Sequence, residues 1–237
     1  MVNIHKAAIH VFATLSIVLA LPASSVAVPK KILKAKPTKT AVIKDTGWKN
    51  LFDGKTLAGW KQTTFVGGGE VKVEPKFRDG EPAIVVKAGS MLSGFNWTRD
   101  APKTNFEISL EVMKIEGKDF MCGLTFPVGD SHASLILGGW GGPIVGISSL
   151  DRLDASENET TKYMSFVNDH WYKVRMKVTP DKLESWLDDQ KIVDVNIKGK
   201  VISLRVGEII YSVPIGIATY QSSSAFRNIK IHKFQGK

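Results

Sequence analysis

Two stretches of strict alternation constrain this chain more than any other feature. In Asn105-Phe-Glu-Ile-Ser-Leu-Glu-Val-Met113, the residues Phe106, Ile108, Leu110 and Val112 fall on one face, with Glu107, Ser109 and Glu111 on the other. Trp171-Tyr-Lys-Val-Arg-Met-Lys-Val178 sets Tyr172, Val174, Met176 and Val178 against Lys173, Arg175 and Lys177. A period of two sends successive side chains to opposite faces of an extended backbone, so each stretch predicts a half-buried antiparallel strand. Residues 183–187 and 192–197 flank the polar Asp188-Asp189-Gln190-Lys191, which predicts a hairpin with a short turn. Further strands are predicted over 70–74, 82–87, 120–126, 132–137, 143–148, 201–206, 215–219 and 226–234. No stretch keeps a 3.6-residue period for three turns, so helix should be limited to short turns. Many short strands separated by glycine-rich turns predict an all-β fold, a single antiparallel β-sandwich over roughly residues 47–235.

The residues before this domain have another character. Lys6 precedes an apolar run from Ala7 to Leu21, and Ser25-Val26-Ala27 gives the small-x-small pattern of a cleavage site. Residues 1–27 are therefore expected to be a signal peptide, with a mature chain starting near Val28; the alternative is an uncleaved anchor. Residues 28–46 carry six lysines, Pro29 and Pro37 without apolar periodicity, and read as a Lys-rich linker. Most of the formal charge of +9 lies in these two segments; without Lys6 and the six linker lysines it falls to +2 over residues 45–237. A near-neutral domain without a basic stripe gives no ground for nucleic-acid binding. The linker itself could touch acidic polysaccharide or a membrane surface, or simply serve as a tether. Cys122 is the only cysteine, so stability has to come from the core and not from cross-links.

The domain opens on Gly47-Trp48, Leu51 and then Phe52-Asp-Gly-Lys-Thr-Leu-Ala-Gly-Trp60. Asp53-Gly54 reads as a tight turn, with Phe52, Leu57 and Trp60 as an apolar cluster around it. This segment resembles the opening of the 3-keto-disaccharide hydrolase family, whose members begin with a Phe-Asn/Asp-Gly-Lys-x-Leu-x-Gly-Trp pattern. The later segments His170-Trp-Tyr-Lys-Val-Arg175, Leu183 to Asp194, Pro214-Ile-Gly-Ile217 and Phe226-Arg-Asn-Ile-Lys-Ile231 are similar to the family's following strands, in the same order. The resemblance implies a concanavalin A/laminin-G-like jelly roll whose concave sheet faces a glycan. It also implies 3-keto-glucoside lyase or hydratase-like chemistry on an oligosaccharide or 3-keto-glycoside.

That chemistry sets the residues a site needs. A ketone at C3 of a sugar acidifies the C2 hydrogen, so a carboxylate or histidine can remove it and expel the C1 substituent. A cation or hydrogen-bond donors must then meet the developing enolate. Many family members carry a Gln-Asp-His-Gly-like turn after the Pro-Ile-Gly strand. Here the segment reads Ala218-Thr-Tyr-Gln-Ser-Ser-Ser224, without Asp or His. A second polar motif of the family, in mid-domain, is replaced by Ser131-His-Ala-Ser-Leu-Ile-Leu-Gly-Gly-Trp-Gly-Gly142. The candidate ligand site is accordingly built from these two interruptions. His132 or Asp151 would be the base and Arg152 the charge stabiliser, with Trp140, Tyr220 and Gln221 binding substrate.

Each candidate has a structural alternative. His132 could be a loop-edge histidine, and Trp140 could fold into the core instead of presenting its ring to a sugar face. His170 and His232 lack metal-ligand spacing. The acidic stretch Asp151, Asp154, Glu157 and Glu159 could hold a divalent cation such as calcium, supply a carboxylate, or be a solvated loop. Asn158-Glu-Thr160 matches a glycosylation sequon. Three functions remain open on these readings: an exported 3-keto-glycoside hydrolase or lyase, a non-catalytic carbohydrate-binding β-sandwich module, and a structural envelope domain. A periplasmic or extracellular location is expected for all three.

Overall fold

The computed structural model describes residues 45–234; the leader expected over 1–27 and the linker residues before Asp45 lie outside them. One sheet runs in spatial order β13 (Gln190–Asn196), β12 (Lys182–Leu187), β11 (Trp171–Val178), β6 (Phe106–Gly117), β15 (Ser222–Phe234), β4 (Glu81–Val86) and β3 (Val71–Phe77), with β1 (Asp45–Asn50) also paired to β15. The other runs β10 (Lys162–Tyr163), β9 (Ile144–Ser148), β8 (Ser131–Gly139), β7 (Cys122–Val128), β14 (Gly216–Tyr220), β5 (Leu92–Trp97) and β2 (Trp60–Gln62). Among the described residues the one helical element is a 3-10 turn, Glu208–Ser212. The two alternating segments become β6 and β11, and they pair with Leu110 opposite Val174 and Ile108 opposite Met176. The result is the expected antiparallel sandwich.

The alternation decides what is buried. Phe106, Ile108, Leu110, Val112, Val174 and Met176 of the first sheet join Leu124, Phe126, Leu135, Leu137, Ile147 and Ile217 of the second in one core. Phe95 and Phe226 meet edge to face across the two sheets at 5.7 Å. Burying each such side chain stabilises the fold by about 1.5–3 kcal/mol relative to exposure.

The opening motif is a structural staple of this core. Asp53 accepts the backbone N–H groups of Thr56 at 2.7 Å and Lys55 at 2.8 Å on Oδ1, and the Thr56 hydroxyl at 2.7 Å on Oδ2. These bonds, the Thr56 amide foremost, bring the Asp53 carboxyl down to about 2. Trp60 donates its indole N–H to the Leu51 carbonyl at 2.7 Å and meets Phe95 and Trp97 edge-on, each at 5.0 Å. Gly59 takes φ +85°, and a Cβ there would lie 2.6 Å from Trp97 Cζ3. Only glycine satisfies both the left-handed backbone and the contact.

Two departures from the sequence reading matter for the site. Residues 201–206, expected as a strand, form none. Ile202 makes one isolated bridge to Leu150, and the segment crosses the outer face of the second sheet toward Val213. Of its apolar residues, Ile202 packs against the core between the sheets while Val201 and Val206 are exposed, and the segment extends no sheet because the edge of β9 is already paired with β10. Conversely β5, which was not anticipated, pairs with both β14 and β2. Its alternation is broken by Gly94, where a Cβ would lie 2.3 Å from the Ile217 carbonyl oxygen. Close backbone approach is a common reason for glycine inside a strand.

Candidate functional site

On the second sheet, Leu124, Leu135 and Ile147 face the core, so the alternate residues Thr125, Ser134, Ile136 and Ser148 face outward. That outer face is also covered. Thr125, Ser134 and Ser148 are buried, and Ile136, Ile144 and Ala155 form a separate apolar cluster with Phe120 packed against it. Ala155 supplies part of the cover, and the crossing segment 200–213 passes over the rest of the face as a strap held at both ends. At its root Asp151 Oδ1 accepts the Val201 N–H at 2.8 Å, and Lys200 Nζ lies 3.2 Å from Asp151 Oδ2 and 2.7 Å from Glu159 Oε1. The Ile202 carbonyl accepts the Ser131 hydroxyl at 2.7 Å, and the Ser203 carbonyl accepts the Ser149 N–H at 2.9 Å. At the far end Asn96 donates to the Val213 carbonyl at 3.2 Å, while the Glu208 carboxylate accepts the Val66 N–H at 3.2 and 3.3 Å.

Between the strap and the sheet lies a cavity of about 680 Å³, within the size range of small-molecule sites. Three charged side chains line it, Asp119, Arg205 and Glu208, together with the aromatic rings of Phe120, Trp140 and Tyr220. Trp140 sits at φ +51° in the turn closed by the Gly142 N–H and the Gly139 carbonyl. Asp119 fixes that turn: its Oδ2 accepts the Gly141 N–H at 2.8 Å and its Oδ1 accepts the Phe120 N–H at 2.8 Å. Trp140 is 39% exposed, so its ring faces the cavity and not the core. The Arg205 guanidinium carbon lies 5.5 Å from the Trp140 ring centre, and its Nη1 lies 3.4 Å from Asp154 Oδ2. Asp154 in turn accepts the Ser148 hydroxyl at 3.1 Å. An aromatic plate, a cation and two carboxylates thus share one chamber.

The structure brings two of the six sequence candidates into this chamber. Trp140 and Tyr220 line it, Tyr220 lying 5.8 Å from the Phe120 ring and donating its hydroxyl to Met91 Sδ at 3.2 Å. The lining does not include His132, Asp151, Arg152 or Gln221. His132 is half-buried on β8 opposite Pro127, and burial lowers its pKa below the usual 6.5. Asp151 holds the strap, and the Val201 N–H and then Lys200 keep its carboxyl below 3.8. Gln221 donates its side-chain N–H to the Ser90 carbonyl at 3.1 Å, which braces the 90–91 loop beside the cavity. Arg152 is exposed, and Trp140, Asp151, Arg152 and Gln221 all take positive φ. Non-glycine residues seldom do so, and they concentrate at sites where the surroundings over-determine the backbone.

Asp119, Arg205 and Glu208 were not anticipated. Arg205 and Glu208 lie in and just after a stretch that reads as strand, and the break at Gly207 (φ +132°) was the available signal. The acidic loop does not fit a cation. Asp151 and Glu159 are engaged by Lys200, and Asp154 by Ser148, Ser149 and Arg205. Among the described residues no group of three or more His, Cys, Asp or Glu is placed to bind a metal. Asn158 is also committed, donating to the Ile147 and Asp154 carbonyls at 2.7 Å each while accepting from Thr160.

Two antiparallel sheets in this strand order, with a ligand-sized chamber on one outer face, define a jelly-roll β-sandwich. The chain belongs to the family of the 3-keto-alpha-glucoside-1,2-lyase-like domain, whose model matches residues 47–232. Among solved structures it is similar to a protein of unknown function with a galectin-like fold from Bacillus subtilis, at a TM-score of 0.54 and 10% identity, over 82% of this chain and 100% of that one. It is also similar to domain 4 of AbnA, a GH43 extracellular arabinanase from Geobacillus stearothermophilus solved with arabinotriose. There the TM-score is 0.51 at 13% identity, over 81% of this chain and 93% of that one. At these identities the likeness shows the fold. No curated protein matches the chain in sequence.

Proposed function

We propose that this protein is an exported enzyme that cleaves 3-keto-glycosides by elimination in the chamber beneath the strap. The observation that carries this reading is the convergence of Glu208, Asp119, Arg205 and Trp140 on one cavity in a chain of this family. Trp140 stacks the sugar. Glu208, whose two oxygens share the single N–H of Val66 and keep free lone pairs, removes the C2 proton. Arg205, held by Asp154 and the Trp140 ring, stabilises the negative charge that develops on the C3 oxygen. The electron pair of the C2–H bond becomes the C1=C2 bond as the C1–O bond breaks, and the departing oxygen takes a proton. Water then adds its hydroxyl at C1 and a proton at C2, completing a net hydrolysis. Asp119 keeps the Trp140 turn in place. This proposal gives the base and cation roles to cavity-lining groups in place of His132, Asp151 and Arg152. The leader read over 1–27 and the linker over 28–46 support a periplasmic or extracellular location.

No lining residue is a histidine, and this favours a second reading, a saccharide-binding module without turnover. Release of sugar from a panel of 3-keto-glycosides, with and without chelator, separates the two. The enzyme reading expects release that chelator does not change. Saccharide binding without release would replace it with the binding module.

A further inference from the structure

The chamber is chemically two-ended. It reaches from Ser148 on β9 to Leu92 on β5, and in the sheet these strands are separated by β8, β7 and β14. Four inter-strand spacings of ~4.8 Å make a span of roughly 19 Å, longer than one hexose ring. Toward β9 the walls are polar: Ser134, Ser148 and Arg205, with Asp119 and Trp140 beside them. Toward β5 apolar side chains predominate, with Ser90, Tyr220 and Glu208 interspersed. Val66, Met91, Leu92 and Val206 line the cavity, and Val206 is 98%, Val66 76% and Met91 48% exposed. Large apolar side chains left this open around a cavity mouth mark a place where apolar surface binds. Two of the polar groups at this end are already engaged, and the Glu208 carboxylate is the one that keeps free lone pairs. The Tyr220 hydroxyl is directed to Met91 Sδ, and the Ser90 hydroxyl lies 3.4 Å from the Gly67 carbonyl.

Resting on the function proposed above, we infer that the group leaving C1 is apolar, an aryl or alkyl aglycone, and not a second sugar. A second hexose at this open mouth would keep its hydroxyls in water and find few protein partners beside Val66, Met91, Leu92 and Val206, so it would gain little over a methyl group. An aromatic ring would cover those walls and lose water from both surfaces. The position of Glu208 agrees. It is bonded to Val66 at the apolar end, and the C2 hydrogen it takes is next to C1, the carbon that carries the aglycone. The sugar occupies the Arg205 and Trp140 end, and the bond to be broken lies where the two ends meet.

The test is calorimetric titration of the full chain with three 3-keto-glucosides, carrying a methyl group, a phenyl group or a second glucose at C1. The inference expects phenyl to bind at least about tenfold tighter than methyl, and the disaccharide no tighter than methyl. It also expects the phenyl-to-methyl ratio to fall several-fold in the double variant Val66→Ser/Val206→Ser. Both positions are solvent-exposed, so this variant should keep the wild-type melting temperature. A disaccharide that binds as tightly as phenyl, or a ratio unchanged in the double variant, overturns the inference while the enzyme reading stands. If none of the three ligands binds, the enzyme reading fails and this inference fails with it.

Discussion

Arg205 stands between Trp140 and Asp154, its guanidinium carbon 5.5 Å from the indole ring centre and its Nη1 3.4 Å from the carboxylate. The cation therefore has two neighbours at the polar end of the chamber, though its side chain is largely exposed and comes from a strap and not from a strand. Replacing it should affect chemistry more than folding. Arg205→Met keeps an unbranched side chain against the ring and removes the charge. It should lower kcat for a 3-keto-glycoside by about 10²–10³-fold, the cost of losing one preorganised donor at a developing oxyanion, with an unchanged melting temperature.

Trp140 should act mainly on binding. Trp140→Ala removes the plate on which the sugar is proposed to stack, and it should weaken saccharide affinity by roughly 1–3 kcal/mol, the scale for burying a large apolar side chain. Titration calorimetry would measure it. An unchanged Kd would separate the ring from the ligand.

Acid should loosen the strap at its root. Asp151 has its folded pKa held below 3.8 by the Val201 N–H and Lys200. Its contribution is therefore complete above about pH 3.9, the unfolded value, and is lost as pH falls through the lower folded value. Asp151→Asn removes that dependence. The expected outcome is faster amide exchange at Val201 in the variant at pH 6, and less additional loss in the variant than in wild type on acidification.

Gly59→Ala should destabilise the fold without touching the chamber. The substitution combines a left-handed backbone with a Cβ placed 2.6 Å from Trp97. Together these cost about 2–4 kcal/mol, to be read from the midpoint of urea unfolding.

The sandwich was legible in the sequence because its central strands have one polar face. β6 and β11 alternate, and β11 coincides with the predicted segment from Trp171 to Val178. The site was less legible because the second sheet is covered on both faces, so outward-facing Ser134 and Ser148 are as buried as their core-facing neighbours. The residues at 201–206 read as a strand, yet they pair into no sheet and run on as the strap, and this concealed Arg205 and Glu208. Trp140 and Tyr220 could be found because glycines around one and a missing family motif at the other marked them. Asp119 acts through the backbone N–H of Gly141, a contact that no spacing in the chain announces. The opening motif carried the family resemblance most strongly, and its bonds hold a turn and an indole in the core.

In the proposed reaction Glu208 takes the C2 proton of a 3-keto-glycoside in this chamber. That step is tested most directly by running the reaction in D₂O and following C2 of the released 3-keto sugar by NMR, against an enzyme-free control. Elimination followed by hydration predicts one deuterium at C2 for every bond broken, and a rate lower by about 10²–10⁴-fold in Glu208→Gln. Release with the original hydrogen retained at C2, or an undiminished rate in Glu208→Gln, would contradict it.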